Sequence, residues 1–433
     1  MLVRVSPFLR LGGAALFLSL IFAYAYLHFG DRGGGTLLII AAVVGGYMAL
    51  NIGANDVANN IGPAVGSKAM TLTTAVVIAA IFEASGALVA GGDVVGTIKK
   101  GIIDPGLIAD SQTFVWLMLA ALMAAALWLN LATYLGAPVS TTHSIVGGVL
   151  GAGIAAGGWQ IANWHKMATI AASWVISPVL GGLIAASLLY LIKRTILYQD
   201  SMMEAARRNV PLFVSLMAWA FGTYLMLKGL KKIWKVDFAT ASLTGLAIAI
   251  VTYMFVRPLV DRVQNIRDAT REDVNKLFAI PLIFAAALLS FAHGANDVAN
   301  AVGPLAAIND ALASGAIAKK AVIPLWIMAI GAFGLAAGLA LYGPKLIKTV
   351  GSGITHLDMI RAYCIALAAA ITVIIASQLG LPVSSTHIAV GAVFGVGFLR
   401  EYLEASHARR INQIRQLHHD APEKEVVVFL DAY

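Results

Sequence analysis

Two short polar motifs each occur twice in this sequence, and they carry the residues best suited to bind ions. The heptapeptide Gly-Ala-Asn-Asp-Val-Ala-Asn occupies residues 53–59 and again residues 294–300. Each copy holds one carboxylate with Asn at the −1 and +3 positions, which lie one helical turn apart on the same face of a helix. A carboxylate inside an apolar span normally pairs, binds an ion or titrates. We therefore predict these side-chain oxygens as cation ligands: Asn55, Asp56, Asn59, Asn296, Asp297 and Asn300.

The second motif, Pro-Val-Ser-(Thr/Ser)-Thr-His, occupies residues 138–143 and 382–387. Pro suits the first turn of a helix, and Ser and Thr suit its capping positions. Free N–H groups and hydroxyls at a helix start attract anions. The alternative is that the hydroxyls only bond to the preceding helical turn. The predicted anion ligands are Ser140, Thr141, Thr142, Ser384, Ser385 and Thr386.

A tetrahedral oxyanion held beside two aspartates favours phosphate over sulfate. Fully ionised sulfate has no proton to offer a carboxylate, whereas hydrogen phosphate keeps a P–OH donor near neutral pH. Cations bound at the two aspartates would soften the repulsion of either anion. The residue types therefore favour phosphate and leave sulfate as an alternative.

Glu83 is a third acid inside an apolar run, and Met328 stands at its matched position in the second half. We predict that Glu83 lines the cation path, with a hydrogen-bonded core residue as the alternative. Because no acid accompanies Asp297 in sequence, its loss is expected to be more severe than loss of Asp56. The matched His143 and His387 are predicted to pack, since neither has a second ligand at metal spacing. No metal beyond the coupling cation and no cofactor is predicted.

The composition identifies the elements that must position these residues. Of 433 residues, 59% are apolar and 12% charged, with a mean hydropathy of +0.83. A soluble domain averages about 45–50% apolar and about 25% charged. The chain also contains several apolar runs long enough to cross a bilayer. These values exclude a soluble enzyme, and the excess of basic residues needs no nucleic-acid partner because positive-inside retention explains it.

The motif copies are offset by 241 and 244 positions, which indicates a tandem duplication. Gly and Pro residues interrupt both motif spans, and such broken helices are typical of secondary transporters. We take residues 193–208 as cytoplasmic. If each segment that begins with the second motif crosses the membrane once, two thirds of the 30 basic residues lie on the cytoplasmic side, as positive-inside retention requires. The two heptapeptide spans then run in opposite directions. We therefore predict an all-α integral membrane protein, an inverted-repeat secondary transporter with broken helices and two helical hairpins.

The predicted divisions follow from the repeat. They are 1–35 for an N-terminal tail and extra transmembrane helix, 36–195 for repeat 1, 196–275 for linking helices and cytoplasmic loops, 276–400 for repeat 2, and 401–433 for a polar cytoplasmic tail. After the second copy of this motif the apolar run ends at Arg400 and polar residues follow, whereas the first repeat continues into another apolar span. The last span of repeat 2 is therefore expected to be missing.

The paired motifs resemble those of the PiT inorganic phosphate transporters, over roughly residues 37–400. The resemblance implies a homodimer in the inner (cytoplasmic) membrane that carries phosphate with sodium, or with protons in some bacterial members. It also implies that Asn55, Asp56, Asn296 and Asp297, with the hairpin Ser and Thr residues, surround phosphate and cations. Two departures are the absent last span and Ala366, which stands where relatives often carry an acid.

The predicted function is therefore a cation-coupled symporter that imports inorganic phosphate. A sulfate symporter, or a metal-phosphate/proton symporter on the same scaffold, is the alternative. An enzyme would need one asymmetric catalytic set, whereas these polar residues are duplicated almost symmetrically.

Overall fold

The computed structural model describes residues 6–229, 236–262, 270–315, 323–353 and 357–417, and within these ranges the chain is almost entirely helical. Ten helical segments of the described chain are long and apolar enough to cross a membrane, so this is a multi-pass membrane protein. The helices are α1 (Pro7–Phe29), α2 (Gly35–Asn55), α3 (Val57–Gly66), α4 (Leu72–Ala90), α5 (Gly92–Lys100), α6 (Ser111–Leu135), α7 (Thr141–Gly157), α8 (Trp164–Ile192), α9 (Met202–Tyr224), α10 (Phe238–Asp261), α11 (Arg271–Lys276), α12 (Ala279–Ser314), α13 (Leu325–Gly353), α14 (Met359–Gln378) and α15 (Ser385–Leu417).

The two repeats are interleaved rather than placed side by side. Helix α2 of the first repeat packs against α13 of the second, and α12 of the second packs against α4 of the first. Both crossings depend on glycine, because a Cβ at Gly53 would lie 1.9 Å from the Leu335 carbonyl oxygen and one at Gly294 would lie 2.2 Å from that of Glu83. The single glycine of each heptapeptide therefore lets its helix pack closely against a helix of the other repeat.

Replacing Gly294 by alanine is expected to destabilise the protein. The added Cβ would meet the Glu83 backbone, which cannot move as a flexible side chain can. Overpacking of this kind costs about 1–3 kcal/mol. Thermal unfolding of the purified protein should show a lower melting temperature for Gly294→Ala. The matched control is Gly147→Ala on the exposed face of α7, where a Cβ meets nothing within 4 Å. Equal melting temperatures for the two variants would refute the close-approach role.

Both predicted hairpins are present. Helix α6 ends at Gly136 in the left-handed region (φ 79°), and α7 starts again at Thr141 after a short extended turn. In the second repeat Gly380 (φ 65°) follows α14, and α15 starts at Ser385. Glycine is favoured at such a helix end because the left-handed conformation carries no Cβ penalty. Each hydroxyl motif therefore lies at the start of a helix, as predicted.

The interruption of the heptapeptide helices differs between the repeats. The first motif breaks the helix only at Asp56, whose N–H still donates to the Ile52 carbonyl at 2.9 Å. The second motif lies within the continuous helix α12, which also contains Pro304. The break predicted at the second motif is therefore not found, because a proline removes a single donor and here the helix continues past it. Few backbone carbonyls are released, so side-chain oxygens are left to supply the ligands.

The chain after the second hairpin forms one long helix rather than a separate tail. Helix α15 continues from Ser385 to Leu417 and packs along α8, where a Cβ at Gly395 would lie 2.1 Å from the Gly182 carbonyl oxygen. The predicted tail 401–433 thus begins inside α15, and its part beyond residue 417 lies outside the described residues. The other division boundaries stay predictions.

Candidate functional site

The two heptapeptides and the two hairpin starts meet in the interior of the protein. Asp56 and Asp297 are each 1% exposed, and Thr141 and Thr142 are fully buried. A buried carboxylate needs hydrogen-bond donors or a countercharge, because desolvation of an unpaired charge is costly. The partners of the two aspartates therefore define the site.

Asp56 accepts one hydrogen bond from a hydroxyl group of each repeat. Thr141 of the first hairpin donates to its Oδ2 at 2.6 Å, and Thr386 of the second hairpin donates to its Oδ1 at 2.9 Å. Both carboxylate oxygens are therefore engaged, and they join the starts of α7 and α15. The starts of two helices, one from each repeat, therefore meet at this aspartate.

Asp297 has a related but less symmetrical environment. Ser385 donates to its Oδ2 at 3.3 Å, and His293 Nε2 lies 2.9 Å from the same oxygen. The same His293 Nε2 is farther from Asp56, at 3.8 Å from its Oδ2. The two aspartates are therefore equivalent in sequence but not in contacts.

The Asn residues at the −1 position hold the hairpin of their own repeat. Asn55 Nδ2 donates to Thr133 Oγ1 at 3.0 Å, and Asn296 Nδ2 donates to Ser377 Oγ at 3.0 Å. Asn55 Oδ1 also accepts the Val139 N–H, whereas Asn296 Oδ1 is buried without a hydrogen-bond partner among the described residues. Of the two amides, Asn296 thus keeps an oxygen that can bind a cation.

The Asn residues at the +3 position reach the hairpin of the opposite repeat. Asn59 Nδ2 donates to Thr386 Oγ1 at 2.9 Å. Asn300 Nδ2 lies 3.2 Å from Thr141 Oγ1 and 3.1 Å from Thr142 Oγ1. These reciprocal contacts bring nearly every residue predicted from the two motifs into one cluster.

Two of the predicted anion ligands have a different local role. Ser140 Oγ accepts the His143 N–H at 3.1 Å, and Ser384 Oγ accepts the His387 N–H at 3.2 Å. Both serines are therefore N-caps, which satisfy a free donor in the first helical turn. Of the hydroxyls that follow, Thr141 and Thr386 donate to Asp56 and Ser385 donates to Asp297, whereas Thr142 donates to the Val383 carbonyl at 2.9 Å.

His293 is a site residue that lies outside the two repeated motifs. Its ring is fully buried, with Nδ1 2.7 Å from Glu83 Oε2 and Nε2 beside Asp297. The signal was present in the repeat itself, because His293 directly precedes the second heptapeptide where Ile52 precedes the first. A polar residue in an apolar run, at a position where the other repeat is apolar, marks a difference between the two halves.

Glu83 lies between the two motifs rather than beside the first alone. Asn60 Nδ2 donates to its Oε1 at 2.7 Å, and His293 connects it to Asp297. The carboxylate is fully buried. The second motif therefore does have an acid within reach, supplied by α4 of the other repeat through the α4–α12 crossing.

The ligand atoms of Asp56, His293 and Asp297 all lie within 4.8 Å of one another. Carboxylate oxygens at this separation suit a small hard cation. The imidazole Nε2 lies 2.9 Å from the Asp297 oxygen and 3.8 Å from the Asp56 oxygen. His143 and His387 lie apart from this cluster and pack on each other with ring centroids 4.8 Å apart. The cluster can thus neutralise charge by an imidazole or by a bound cation.

Comparison with known proteins identifies the family of this chain. Residues 52–417 match the model of the phosphate transporter family. Two relatives carry the name "putative phosphate permease". The Helicobacter pylori protein is 54% identical over 428 residues, which cover 97% of this chain and 79% of the relative. The Pyrococcus abyssi protein is 40% identical over 365 residues, which cover 84% of this chain and 89% of the relative.

A solved structure, described as the sodium-dependent phosphate transporter, is similar to this fold with a TM-score of 0.80 and 39% sequence identity. The match covers 84% of this chain and 90% of that one. The predicted resemblance to the PiT transporters and the predicted fold class are confirmed, and the family and fold are those of a transporter and not of an enzyme. The chain therefore belongs to the phosphate transporter family.

Proposed function

We propose that this protein is a cation-coupled symporter that imports inorganic phosphate across the cytoplasmic membrane, with sodium as the coupling ion. The observation that carries the proposal is the meeting of two helix starts at two buried aspartates, with each repeat donating hydroxyls. A site shared between two repeats can open to either side when one repeat moves against the other.

The phosphate is proposed to bind at the starts of α7 and α15. The first N–H groups of a helix have no partner inside it, and the serine caps occupy only the third. This leaves the N–H groups of the next two residues in each hairpin, where the helix dipole favours an anion. To bind it, the hydroxyls of these residues would turn away from their present acceptors. The proposed phosphate ligands are Thr141, Thr142, Ser385 and Thr386. Asp56 is proposed to accept a hydrogen bond from the P–OH group.

The coupling cations are proposed to bind at the carboxylates. Asp56, Asp297 and Glu83 bring up to three negative charges into a buried site that also receives a dianion. That combination is stable only when cations enter with the phosphate. Amide oxygens of Asn59, Asn296 and Asn300 can complete the oxygen coordination after small side-chain rotations. The solved relative, described as sodium-dependent, supports sodium over protons.

An imposed sodium gradient is expected to drive phosphate accumulation in liposomes that contain the purified protein. Potassium in place of sodium should reduce the initial rate to the level of protein-free vesicles. Sulfate in about tenfold excess should compete weakly, because it lacks the proton that Asp56 accepts. Labelled phosphate uptake measures all three conditions.

Each alternative gives a different result in the same vesicles. Equal uptake in potassium, together with loss of uptake when a protonophore collapses the proton gradient, would replace sodium by protons. Strong competition by sulfate would make the protein a sulfate carrier. Uptake that requires a divalent metal would indicate a metal-phosphate substrate.

We also propose that the chain works as a homodimer, as the resemblance to the PiT family implies. A mass measurement of the protein in lipid nanodiscs separates the outcomes. Two chains per disc at low protein concentration support the dimer, and one chain per disc overturns it.

A further inference from the structure

A cavity separate from the aspartate cluster lies between α1, α2, α6 and α13. Its volume is about 680 Å³. One part of its wall is apolar and includes Leu11 and Leu18 of α1. The polar part of the wall carries the side chains Arg10, Tyr47, Asn51, Tyr134, Tyr342 and Lys345.

The charges around this cavity all have one sign. Arg10 and Lys345 both line it, and none of the described residues that line it carries a carboxylate. The Nε atom of Arg10 is buried and has no hydrogen-bond partner among the described residues. Lys345 Nζ donates to the Tyr134 carbonyl at 2.8 Å, which holds the ammonium at the end of α6. The cavity therefore presents a guanidinium donor and an ammonium group to an anion.

The inner wall of the cavity is in contact with the proposed transport site. Thr133 lines the cavity and accepts the hydrogen bond of Asn55, the residue before Asp56. Deeper in the wall, Asn130 donates to Asn51 Oδ1 at 3.3 Å. Ala54 of the heptapeptide also lines the cavity, so the cavity wall and the first motif are continuous.

Basic residues at cytoplasmic helix ends are common without any ligand, because of positive-inside retention. On the predicted topology the start of α1, the end of α6 and the end of α13 are all cytoplasmic. Retention explains the side of the membrane on which Arg10 and Lys345 lie. It does not explain why two basic side chains from different helices converge on one cavity whose described lining residues include no acid. Arg10 also belongs to α1, which lies before the residues 52–417 that match the family.

We propose that this cavity is a second anion site, which binds a phosphate group through Arg10 and Lys345. The phosphate group has two possible sources with the same chemistry. One is inorganic phosphate passing between the transport site and the cytoplasm, and this source depends on the proposed function. The other is the headgroup of an anionic phospholipid whose acyl chain lies along the Leu11 and Leu18 wall.

The test uses the full chain with both cations replaced, Arg10→Gln together with Lys345→Gln. A charge-conserving double variant, Arg10→Lys with Lys345→Arg, and the exposed Arg32→Gln beyond the other end of α1 are the matched controls. Phosphate counterflow in phosphatidylcholine vesicles gives the KM for free phosphate. Mass spectrometry of the purified protein gives the phosphatidylglycerol retained per chain. Single variants that keep one cation are measured alongside, in case the double variant does not fold.

Replacing Arg10 and Lys345 is expected to change either the KM for phosphate or the amount of retained phosphatidylglycerol by about tenfold. This is the effect of losing hydrogen bonds to a charged ligand. A higher KM identifies free phosphate as the ligand, and loss of retained phosphatidylglycerol identifies the lipid headgroup. The charge-conserving variant should keep wild-type values in both. The proposal is overturned if neither readout differs from that of Arg32→Gln, or if the charge-conserving variant fails equally. A wild-type protein without phosphate transport refutes the proposed function alone, because lipid retention still tests the cavity.

Discussion

Asp56→Asn is expected to abolish sodium-driven phosphate accumulation while the protein stays folded. The asparagine keeps one acceptor oxygen and replaces the other by an NH2 group, which cannot accept the hydroxyl of Thr141 or Thr386. One hydroxyl from a hairpin start is then left without its acceptor, and a cation ligand is lost as well. A hydrogen bond to a charged group contributes about 1.5–3 kcal/mol, so uptake should fall by about 100-fold.

The comparison of Asp56→Asn with Asp297→Asn tests whether the two repeats have the same role. Asp56 accepts hydroxyls from both hairpins, whereas Asp297 accepts one, at 3.3 Å. Glu83 also reaches Asp297 through His293, so this aspartate does not lack a neighbouring acid. These contacts favour the larger loss at Asp56, the reverse of the order that the sequence alone favours.

Sodium-driven uptake and phosphate counterflow in liposomes, with the melting temperature of each variant, measure these effects. The control is Asp261→Asn at the exposed end of α10, where a long ion pair with Arg257 contributes little. Wild-type accumulation by Asp56→Asn would remove this residue from the mechanism. A greater loss for Asp297→Asn would show that the sequence-based order is right after all.

Much of the site could be predicted because the duplication makes each motif a check on the other. An Asn-Asp pair in one apolar span has several explanations, but the same pair in both repeats, each with a matched hydroxyl run, points to one shared site. The structure shows this shared site in two hydrogen bonds between repeats, from Asn59 to Thr386 and from Asn300 to Thr141. The all-helical membrane fold follows from the apolar runs, since the bilayer interior requires internal backbone bonding.

The parts that escaped prediction are those in which the two repeats differ. His293 has an apolar counterpart in Ile52, so a search for repeated residues passes over it. Glu83 is close to Asp56 in the chain, but the α4–α12 crossing carries it towards the second motif. The helix break occurs at the first motif only. Sequence spacing describes neighbours along one helix, whereas these features depend on which helices of opposite repeats cross.

His293→Ala is expected to destabilise the protein in sodium-free buffer. The ring lies between Glu83 and Asp297, both buried: Nδ1 is 2.7 Å from Glu83 Oε2 and Nε2 is 2.9 Å from Asp297 Oδ2. A protonated imidazole places a positive charge beside both carboxylates. Removing it leaves two buried carboxylates facing a void. Breaking a buried ion pair by removing one partner costs about 3–5 kcal/mol, so the melting temperature should fall by several degrees.

Sodium is expected to restore much of the stability lost in His293→Ala, because the vacated space adjoins Asp56 and Asp297, each of which offers a carboxylate oxygen within 4.8 Å of the other. A ligand present at about 100 times its dissociation constant stabilises by about 2.7 kcal/mol. Melting temperatures in sodium and in a bulky organic cation such as N-methylglucamine measure the difference. The control is His28→Ala, an exposed histidine near the end of α1, which should melt alike in both buffers. If His293→Ala is as stable as wild type without sodium, the imidazole does not neutralise this cluster. If it is unstable but indifferent to sodium, the ring neutralises the cluster at a place that the coupling cation does not use.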